Sequence, residues 1–294
     1  MEGLARSALR VLTVDAFTRV PFSGNPAAVV FLQDDADIGD ETKQAIASEM
    51  KLSETAFVSK TEEHDDFDRS SRFKLRWFTP QNEVPLCGHA TLATAAAIFG
   101  ECGNLSEELV FDTRSGLLKA SRGPDDTISL DLPARTTVAA DREKYGQLAE
   151  AVVGKLPVCE LRYSADEKKL LVRLDDRCTR AMLEQFVPSP ARMLQLETSG
   201  HIKGVTVTLK GDGDRYDFLS RHFCPWYGIP EDPVTGSAHT VLGPYWASVL
   251  GKEVLRARQA SARGGDLYLR VPASGQRLHI GGHATVVLRG QLQL

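Results

Sequence analysis

Two similar phrases, about half a chain length apart, constrain the fold of this sequence more than any other feature. The first runs from Gly88 to Leu92 (GHATL) and the second from Gly236 to Thr240 (GSAHT), 148 positions later in a chain of 294 residues. Each follows a proline-containing loop and opens a stretch of small residues typical of a buried helix. The pair suggests an internal duplication, in which two similar domains each point one glycine-initiated helix at a shared cleft. Such helix starts also occur by chance in α/β chains, so the spacing alone leaves both explanations open.

Short apolar runs bounded by turn residues surround both phrases and predict strands, many of them antiparallel. The turn sequence GPDD at 123–126 is the best boundary between two structural halves. Residues 11–32 predict a strand, a turn built on Pro21 and residues 23–26, and a second strand. Further predicted strands are 53–60, 73–78, 168–174, 203–211 and 216–223.

Composition and charge narrow the class of protein. With 42% hydrophobic and 25% charged residues, the chain is typical of a globular protein of about two domains. Its net charge of −4 leaves no basic surplus for broad nucleic-acid binding. Neither a signal peptide nor a spanning segment of about 18 apolar residues is predicted. Five cysteines without a CxxC motif indicate a reducing compartment, so we expect a cytoplasmic protein.

The two helix starts offer groups that bind anions. A helix N-terminus carries unpaired N–H groups and about half a positive charge, so it attracts carboxylate or phosphate. Gly88 and Gly236 would let a ligand approach the backbone, and His89 and Ser237 add side-chain donors. The alternative is that His89 and Ser237 only cap their helices, which is the commoner role for either residue taken singly.

Two carboxylates are candidates for acid–base chemistry. Glu54 begins an apolar strand and shares one face with Ala56 and Val58. If that face lines a cleft, burial raises the carboxyl pKa and makes Glu54 a better base near neutrality. The alternative is a solvated glutamate at a strand start, which is commoner. Asp232 precedes a proline, and an aspartate there more often forms a turn than takes part in catalysis.

Motifs for other chemistries are absent from the sequence. It contains no GxGxxG or GxxxxGK[ST] motif for nucleotides, no HExxH zinc motif and no GxSxG nucleophile elbow. Among seven histidines, only His279 and His283 have a weakly ligand-like spacing, and on a strand they lie too far apart for easy chelation. These absences disfavour a nucleotide cofactor, an HExxH-type zinc site and a nucleophile-elbow hydrolase.

Four motifs, taken together, resemble one family. They are GNPAAVV (24–30), LSETAFV (52–58), FTPQNEVPLCGHATLATA (78–95) and EDPVTGSAH (231–239). In this order and spacing they resemble the PhzF-like phenazine-biosynthesis family, most closely its animal branch of phenazine biosynthesis-like domain-containing proteins. The resemblance extends over nearly the whole chain.

The resemblance implies an α+β chain with the diaminopimelate-epimerase fold. Two pseudo-symmetric domains would each form a curled, barrel-like, mostly antiparallel sheet around a central helix, with the active site in the cleft between them. The last strand would return to the first domain. We therefore assign 9–122 and 278–294 to the N-terminal domain and 126–277 to the C-terminal domain, with central helices that open at Gly88 and Gly236.

The resemblance also implies a reaction. The bacterial members isomerise a cyclic amino acid, dihydrohydroxyanthranilic acid, without metal or organic cofactor. By resemblance, Glu54 is the base that removes a carbon-bound proton and returns it elsewhere, and Asp232 is its partner across the cleft. The chain is thus predicted to be a cofactor-independent isomerase of a small carboxylate. Its predicted substrate-binding residues are Asn25, Ser53, Gly88, His89, Gly236 and Ser237.

Two positions depart from expected patterns. Related racemases and epimerases use one cysteine at each helix start, but here Val234 stands where the second would be, so a two-cysteine reaction cannot run. Cys87 stands at the first of these two cysteine positions and is interpreted as a structural residue. Gly243-Pro244 lies inside the second predicted central helix, where proline costs about 3 kcal/mol, and predicts a kink or an early stop.

Two alternatives to the isomerase stay open. Animals are not expected to make phenazines, so the fold could serve there as a protein-interaction or regulatory protein, although the acid, glycines and serine are all present. An amino-acid epimerase is the third hypothesis, if Glu54 and Asp232 act as opposing acids. The expected partners are a small anionic substrate, a second copy of the chain by family resemblance, and a protein partner under the regulatory alternative. Neither nucleic acid nor a membrane is expected.

Overall fold

The computed structural model describes residues 8–294, which form two compact units. The first unit comprises the described residues up to Asp131 together with Gly281–Leu294. The second unit comprises Leu132–Ile280. Both units combine helices with a mostly antiparallel sheet, so the predicted fold class is confirmed.

The strands and helices are numbered in chain order. The strands are β1 (Ala8–Ala16), β2 (Asn25–Leu32), β3 (Glu54–Lys60), β4 (Arg72–Phe78), β5 (Glu83–Val84), β6 (Glu108–Thr113), β7 (Gly116–Arg122), β8 (Ile128–Pro133), β9 (Val138–Ala139), β10 (Val158–Ser164), β11 (Lys169–Leu174), β12 (Gly204–Lys210), β13 (Phe218–Cys224), β14 (Ile229–Asp232), β15 (Val254–Gln259), β16 (Gly265–Arg270), β17 (Arg277–Gly282) and β18 (Ala284–Gln293). The helices are α1 (Asp40–Met50), α2 (Gly88–Ala96), α3 (Arg142–Val153), α4 (Arg180–Gln185), α5 (Pro190–Leu196) and α6 (Gly236–Leu250), and a π turn at Ala97–Glu101 extends α2.

The sheet of the first unit curls around helix α2. Its strands lie in the order β18, β1, β2, β3, β4, β6, β7, β8, and neighbours are antiparallel except for β2–β3 and β4–β6. Helix α2 contacts β18 and β1 towards one end of this row and β7 towards the other, which requires the row to bend around the helix. Every residue from His89 to Ala95 is buried as a result. Because β18 pairs with β1 along its length, the C-terminal strand returns to the first unit.

Helix α1 covers another face of the same sheet. It connects β2 to β3, which lie side by side and parallel. Ile46 and Ala47 pack with Leu32, Phe57 and Phe78 in one apolar cluster. This packing fixes the strand starts of β2 and β3 at the same edge of the sheet.

The second unit repeats the pairing pattern of the first. The pairs β11–β12 and β13–β15 are parallel, as are β2–β3 and β4–β6 in the first unit. The intervening pair β12–β13 and the final pair β15–β16 are antiparallel, like β3–β4 and β6–β7. In each unit the central helix follows a short strand, β5 before α2 and β14 before α6. The repeated order supports the internal duplication suggested by the two glycine-initiated phrases.

Helix α6 continues through Gly243-Pro244 to Leu250, so the predicted early stop is wrong. Proline has no N–H and cannot donate to the carbonyl four residues earlier, which belongs to Thr240. That oxygen accepts a hydrogen bond from the backbone N–H of Arg135 instead, at 2.9 Å. The replacement bond offsets the one that the helix loses, and the helix can therefore continue.

Within residues 8–294, no helix combines the length and the apolar character needed to cross a membrane. The longest helix described, α6, has 15 residues, whereas a spanning helix needs about 20.

Candidate active site

Three chain segments bring the predicted residues of the first unit together. Asn25 begins β2 and Glu54 begins β3, and the parallel register places Ala27 beside Glu54. Helix α2 packs against both strands and begins at Gly88. His89, in the first turn of α2, therefore faces the two strand starts.

His89 is the centre of this cluster. Its Nδ1 lies 3.3 Å from Asn25 Nδ2 and 3.4 Å from Cys87 Sγ. Its Nε2 lies 3.3 Å from Ser53 Oγ and 3.2 Å from Glu54 Oε2. The Asn25 amide is oriented by its Oδ1, which accepts from the Ser53 hydroxyl at 3.5 Å. Because an amide nitrogen only donates, His89 Nδ1 is the acceptor, and the ring proton sits on Nε2, where Ser53 Oγ accepts it at 3.3 Å.

The Glu54 carboxyl is buried beside this imidazole. Its side chain is 13% exposed, and among residues 8–294 no group makes a hydrogen bond of good geometry to Oε2, although His89 Nε2 is close. Burial raises the pKa of Glu54, because the charged form loses hydration. Hydrogen bonds from Ser53 and Cys87 oppose this rise in pKa and are smaller in effect. Glu54 is therefore a carboxyl that holds its proton more tightly than an exposed glutamate.

The N-terminus of α2 adds backbone donors to the same place. Cys87 precedes the helix and, in the part of the chain described, its side chain makes no capping hydrogen bond to the backbone N–H groups of the first turn. Gly88 has no side chain to cover the N–H groups that helix geometry leaves without intrahelical partners. The ring of His89 contacts Asn25 and Glu54, so the interpretation of His89 as a simple helix cap is not supported.

In the second unit, Asp232 belongs to a hydrogen-bonded turn before α6. It ends β14 and is 8% exposed, and its Oδ2 accepts from the Thr235 hydroxyl at 2.5 Å. The buried side chain of Gln259 donates to the Asp232 carbonyl at 2.6 Å and accepts from the Thr235 N–H at 2.9 Å. Asp232 is thus a turn residue by its contacts, and its burial is also compatible with the predicted catalytic role.

Ser237 is held by a lysine that the sequence analysis missed. Lys169 Nζ donates to Ser237 Oγ at 2.9 Å and to Glu167 at 2.8 Å, and the lysine is 8% exposed. The hydroxyl of Ser237 therefore accepts a hydrogen bond from a cation, which differs from the helix-capping role considered as the alternative for Ser237. A positive charge at this position adds to the positive end of α6 at Gly236. In the sequence, the only signal was a charge at the start of an apolar strand.

Two buried histidines near this turn were also missed. His239 Nδ1 lies 2.8 Å from the Thr235 carbonyl, and its Nε2 has no hydrogen-bond partner within the described residues. His222 lies opposite Asp232 in the β13–β14 pair, and its Nδ1 is 2.8 Å from Thr206 Oγ1. Burial lowers the pKa of His239 to about 4 and lowers that of His222 well below its usual range. Both rings are consequently neutral at pH 7.

The predicted site residues fall into two sets. Val234, at the position of the missing second cysteine, is fully buried, whereas Cys87 lies against His89. The first unit brings together Asn25, Ser53, Glu54, Gly88 and His89, and the second unit holds Asp232, Gly236 and Ser237 in one short segment.

Comparisons with known proteins cover both units. A family model described as phenazine biosynthesis-like protein matches residues 14–290. The phenazine biosynthesis-like domain-containing protein of Bos taurus is 49% identical over 97% of this chain and 99% of its own length. An uncharacterized isomerase of Pseudomonas aeruginosa is 43% identical over 97% of this chain and 99% of its own. The crystal structure of a PhzF-family protein from Enterococcus faecalis has a TM-score of 0.83 and 34% identity, and the match covers 98% of this chain and 100% of that one.

Proposed function

This chain belongs to the phenazine biosynthesis-like protein family, and from that premise we propose that it is a cofactor-independent isomerase of a small carboxylate, with Glu54 as general acid and base. Relatives named as isomerases support an isomerase-type activity. The observation that carries the assignment is the buried Glu54 carboxyl, 3.2 Å from His89, with a pKa that burial raises.

A raised pKa suits Glu54 to both halves of a proton transfer. As the carboxylate, Glu54 takes a proton from a substrate carbon, and the electrons of the broken C–H bond move towards the substrate carboxyl group. As the acid, it returns the proton to another atom of the same molecule, so substrate and product have the same composition. A base whose pKa lies nearer the operating pH gives both the right protonation state and a favourable transfer.

The N-terminus of α2 is the proposed binding place for the negative charge that develops. The backbone N–H groups that begin at Gly88 are suited to donate hydrogen bonds to a carboxylate and to stabilise the negative charge that develops on it. Asn25 and Ser53 hold the His89 ring in one orientation, with its Nε2 3.2 Å from the acid. In this proposal Asn25, Ser53 and His89 therefore position the reacting groups around Glu54.

The segment from Asp232 to Ser237 is the proposed second contact with substrate. Its polar groups are held by buried partners. Thr235 donates to the Asp232 carboxyl group, Gln259 donates to the Asp232 backbone carbonyl, and Lys169 donates to the Ser237 hydroxyl. Such fixed groups lose little entropy when a ligand binds. Lys169 adds a cation suited to a carboxylate, and Asp232 is the proposed acid–base partner of Glu54.

The first step of the test is to find a substrate. A panel of small carboxylates and cyclic amino acids is screened by thermal shift with the full chain. Each hit is then incubated in D₂O, and NMR follows the exchange of its carbon-bound protons for deuterium. The proposal predicts exchange at one carbon, together with formation of an isomer of the same mass apart from the label.

The second step assigns the exchange to Glu54. Glu54→Gln removes the base and keeps the volume, and we expect exchange to slow by about 10³-fold, within the usual range for a general base. Thermal shifts with the same ligand should remain close to those of the wild-type chain. Glu49→Gln, an exposed glutamate of α1, is the matched control and should exchange like the wild type. Unchanged exchange in Glu54→Gln would reject the mechanism.

A further inference from the structure

Three donor atoms of different chemistry meet at the proposed base. A carboxylate oxygen of Glu54, the Sγ of Cys87 and an imidazole nitrogen of His89 all lie within 4.8 Å of one another. We propose that these three residues form a zinc-binding site and that bound Zn²⁺ inhibits the isomerase by occupying its base. The inhibition, although not the binding, rests on the proposed function.

The distances fit a tetrahedral zinc ion. Zinc binds carboxylate oxygen and imidazole nitrogen at about 2.0–2.2 Å and thiolate sulfur at about 2.3 Å, so an oxygen and a nitrogen ligand stand about 3.3 Å apart. Glu54 Oε2 and His89 Nε2 are 3.2 Å apart. The sulfur of Cys87, two residues before His89 at the same helix start, lies 3.4 Å from the other ring nitrogen and within 4.8 Å of the other two donor atoms. In the proposal, rotation of the Cys87 side chain brings the third donor to the ion.

The charges also favour a divalent cation. Glu54 is buried, so its carboxylate has lost most of its hydration and lacks a good hydrogen bond to Oε2 among residues 8–294. With the thiolate of Cys87, the two anionic ligands neutralise Zn²⁺, and their protons go to solvent. The positive end of α2 opposes a cation here by about 0.3–1 kcal/mol, which is small beside two anionic ligands in a buried site.

The surrounding groups complete the site. A metal on His89 Nε2 requires the ring to donate from Nδ1, and zinc-bound histidines usually have such an acceptor. The Asn25 side chain lies at Nδ1, and rotating its amide by half a turn presents the oxygen. Three protein ligands leave a fourth position for water, as in other three-ligand zinc sites.

The donor set selects zinc over the abundant hard cations. Magnesium and calcium prefer sites made only of oxygen atoms, whereas a thiolate with an imidazole suits zinc. Once zinc is bound, the lone pair of the Glu54 carboxylate is shared with the metal and cannot accept a proton from carbon. Zinc is therefore expected to act as an inhibitor of proton exchange.

The experiment is a zinc titration of the chelator-treated full chain in competition with a chromophoric chelator. We expect one Zn²⁺ per chain, and an affinity at least about 100-fold weaker in Cys87→Ala. Cys102→Ala, which removes a half-buried thiol outside the cluster, is the matched control and should bind like the wild type. Cobalt(II) added to the wild-type chain should give thiolate-to-cobalt charge-transfer absorption, a readout that does not depend on whether a variant folds.

The outcomes test the zinc site, the inhibition by zinc and the proposed function separately. Absence of stoichiometric binding, binding that ignores Cys87→Ala, or a cobalt spectrum without the thiolate band would overturn the zinc site. Zinc that binds but leaves Glu54-dependent exchange unchanged, or increases it, would overturn the inhibition. If zinc binds as expected and no ligand shows Glu54-dependent exchange, the site stands and the proposed function fails.

Discussion

Gln259 holds the turn before α6, and Gln259→Met measures what this contact set contributes to stability. The side chain is fully buried, and its amide lies 2.6 Å from the Asp232 carbonyl, 2.9 Å from the Thr235 N–H and 3.2 Å from the Thr235 hydroxyl. Methionine keeps the volume but removes these partners from two buried backbone groups. Each such group costs about 1–3 kcal/mol, so the pair costs about 2–6 kcal/mol. We expect the free energy of unfolding of the second unit to fall by about 4 kcal/mol, the middle of that range.

The assay is urea unfolding followed by tryptophan fluorescence. A Trp77→Phe background removes the tryptophan of the first unit, so the signal comes from Trp226 and Trp246 of the second. Gln195→Met, at an exposed position of α5, is the control and should change stability by less than about 0.5 kcal/mol. A Gln259→Met chain whose stability matched that of this control would refute the assigned role of the amide.

Three further predictions concern titration and the proton on His89. As pH rises above 4.5, the stability advantage of Glu54→Gln over the wild type should grow. The reason is that the raised pKa of Glu54 makes the wild-type folded state lose stability as its carboxyl ionises. A pH-independent difference in the free energy of urea unfolding would contradict this. For His239, the folded pKa of about 4 lies below the ordinary 6.5, so the wild type loses up to about 3 kcal/mol as pH falls through this interval. His239→Asn should abolish that loss, and an unaltered pH slope would rule the explanation out. Asn25→Asp replaces the donor at His89 Nδ1 by an acceptor, so nitrogen-detected NMR should show the ring proton moving from Nε2 to Nδ1; an unchanged tautomer would disprove the assignment.

The fold was largely predictable because its signals are local. Gly88 and Gly236 open the two central helices where the sequence placed them, since a glycine before a run of small residues marks a helix start wherever it occurs. The early stop predicted at Gly243-Pro244 was wrong because the proline rule is also local. The Arg135 N–H group, which replaces the hydrogen bond lost at the proline, lies in a distant part of the chain. No sequence pattern near the proline predicts this hydrogen bond.

The candidate site was predictable only in part. The resemblance identified Glu54 and His89 by their motifs, and the structure adds the 3.2 Å approach that lets one act on the other. Lys169 and Gln259 escaped prediction because their roles depend on partners far away in sequence: Ser237 is 68 positions from Lys169. A lysine at the start of a strand, or a glutamine at the end of one, is ordinary in the sequence, and only its burial and contacts show that it holds another group.

The acidity of Glu54 is the most direct test of the account, because it needs no knowledge of the substrate. Carbon-13 NMR follows the glutamate carboxyl signals of the wild-type chain as pH is varied, and the signal missing from Glu54→Gln identifies the residue. The account predicts a titration midpoint above the ordinary value of 4.5. A midpoint at or below 4.5 would mean that the carboxyl is hydrated or paired with a cation, and the buried base would be contradicted.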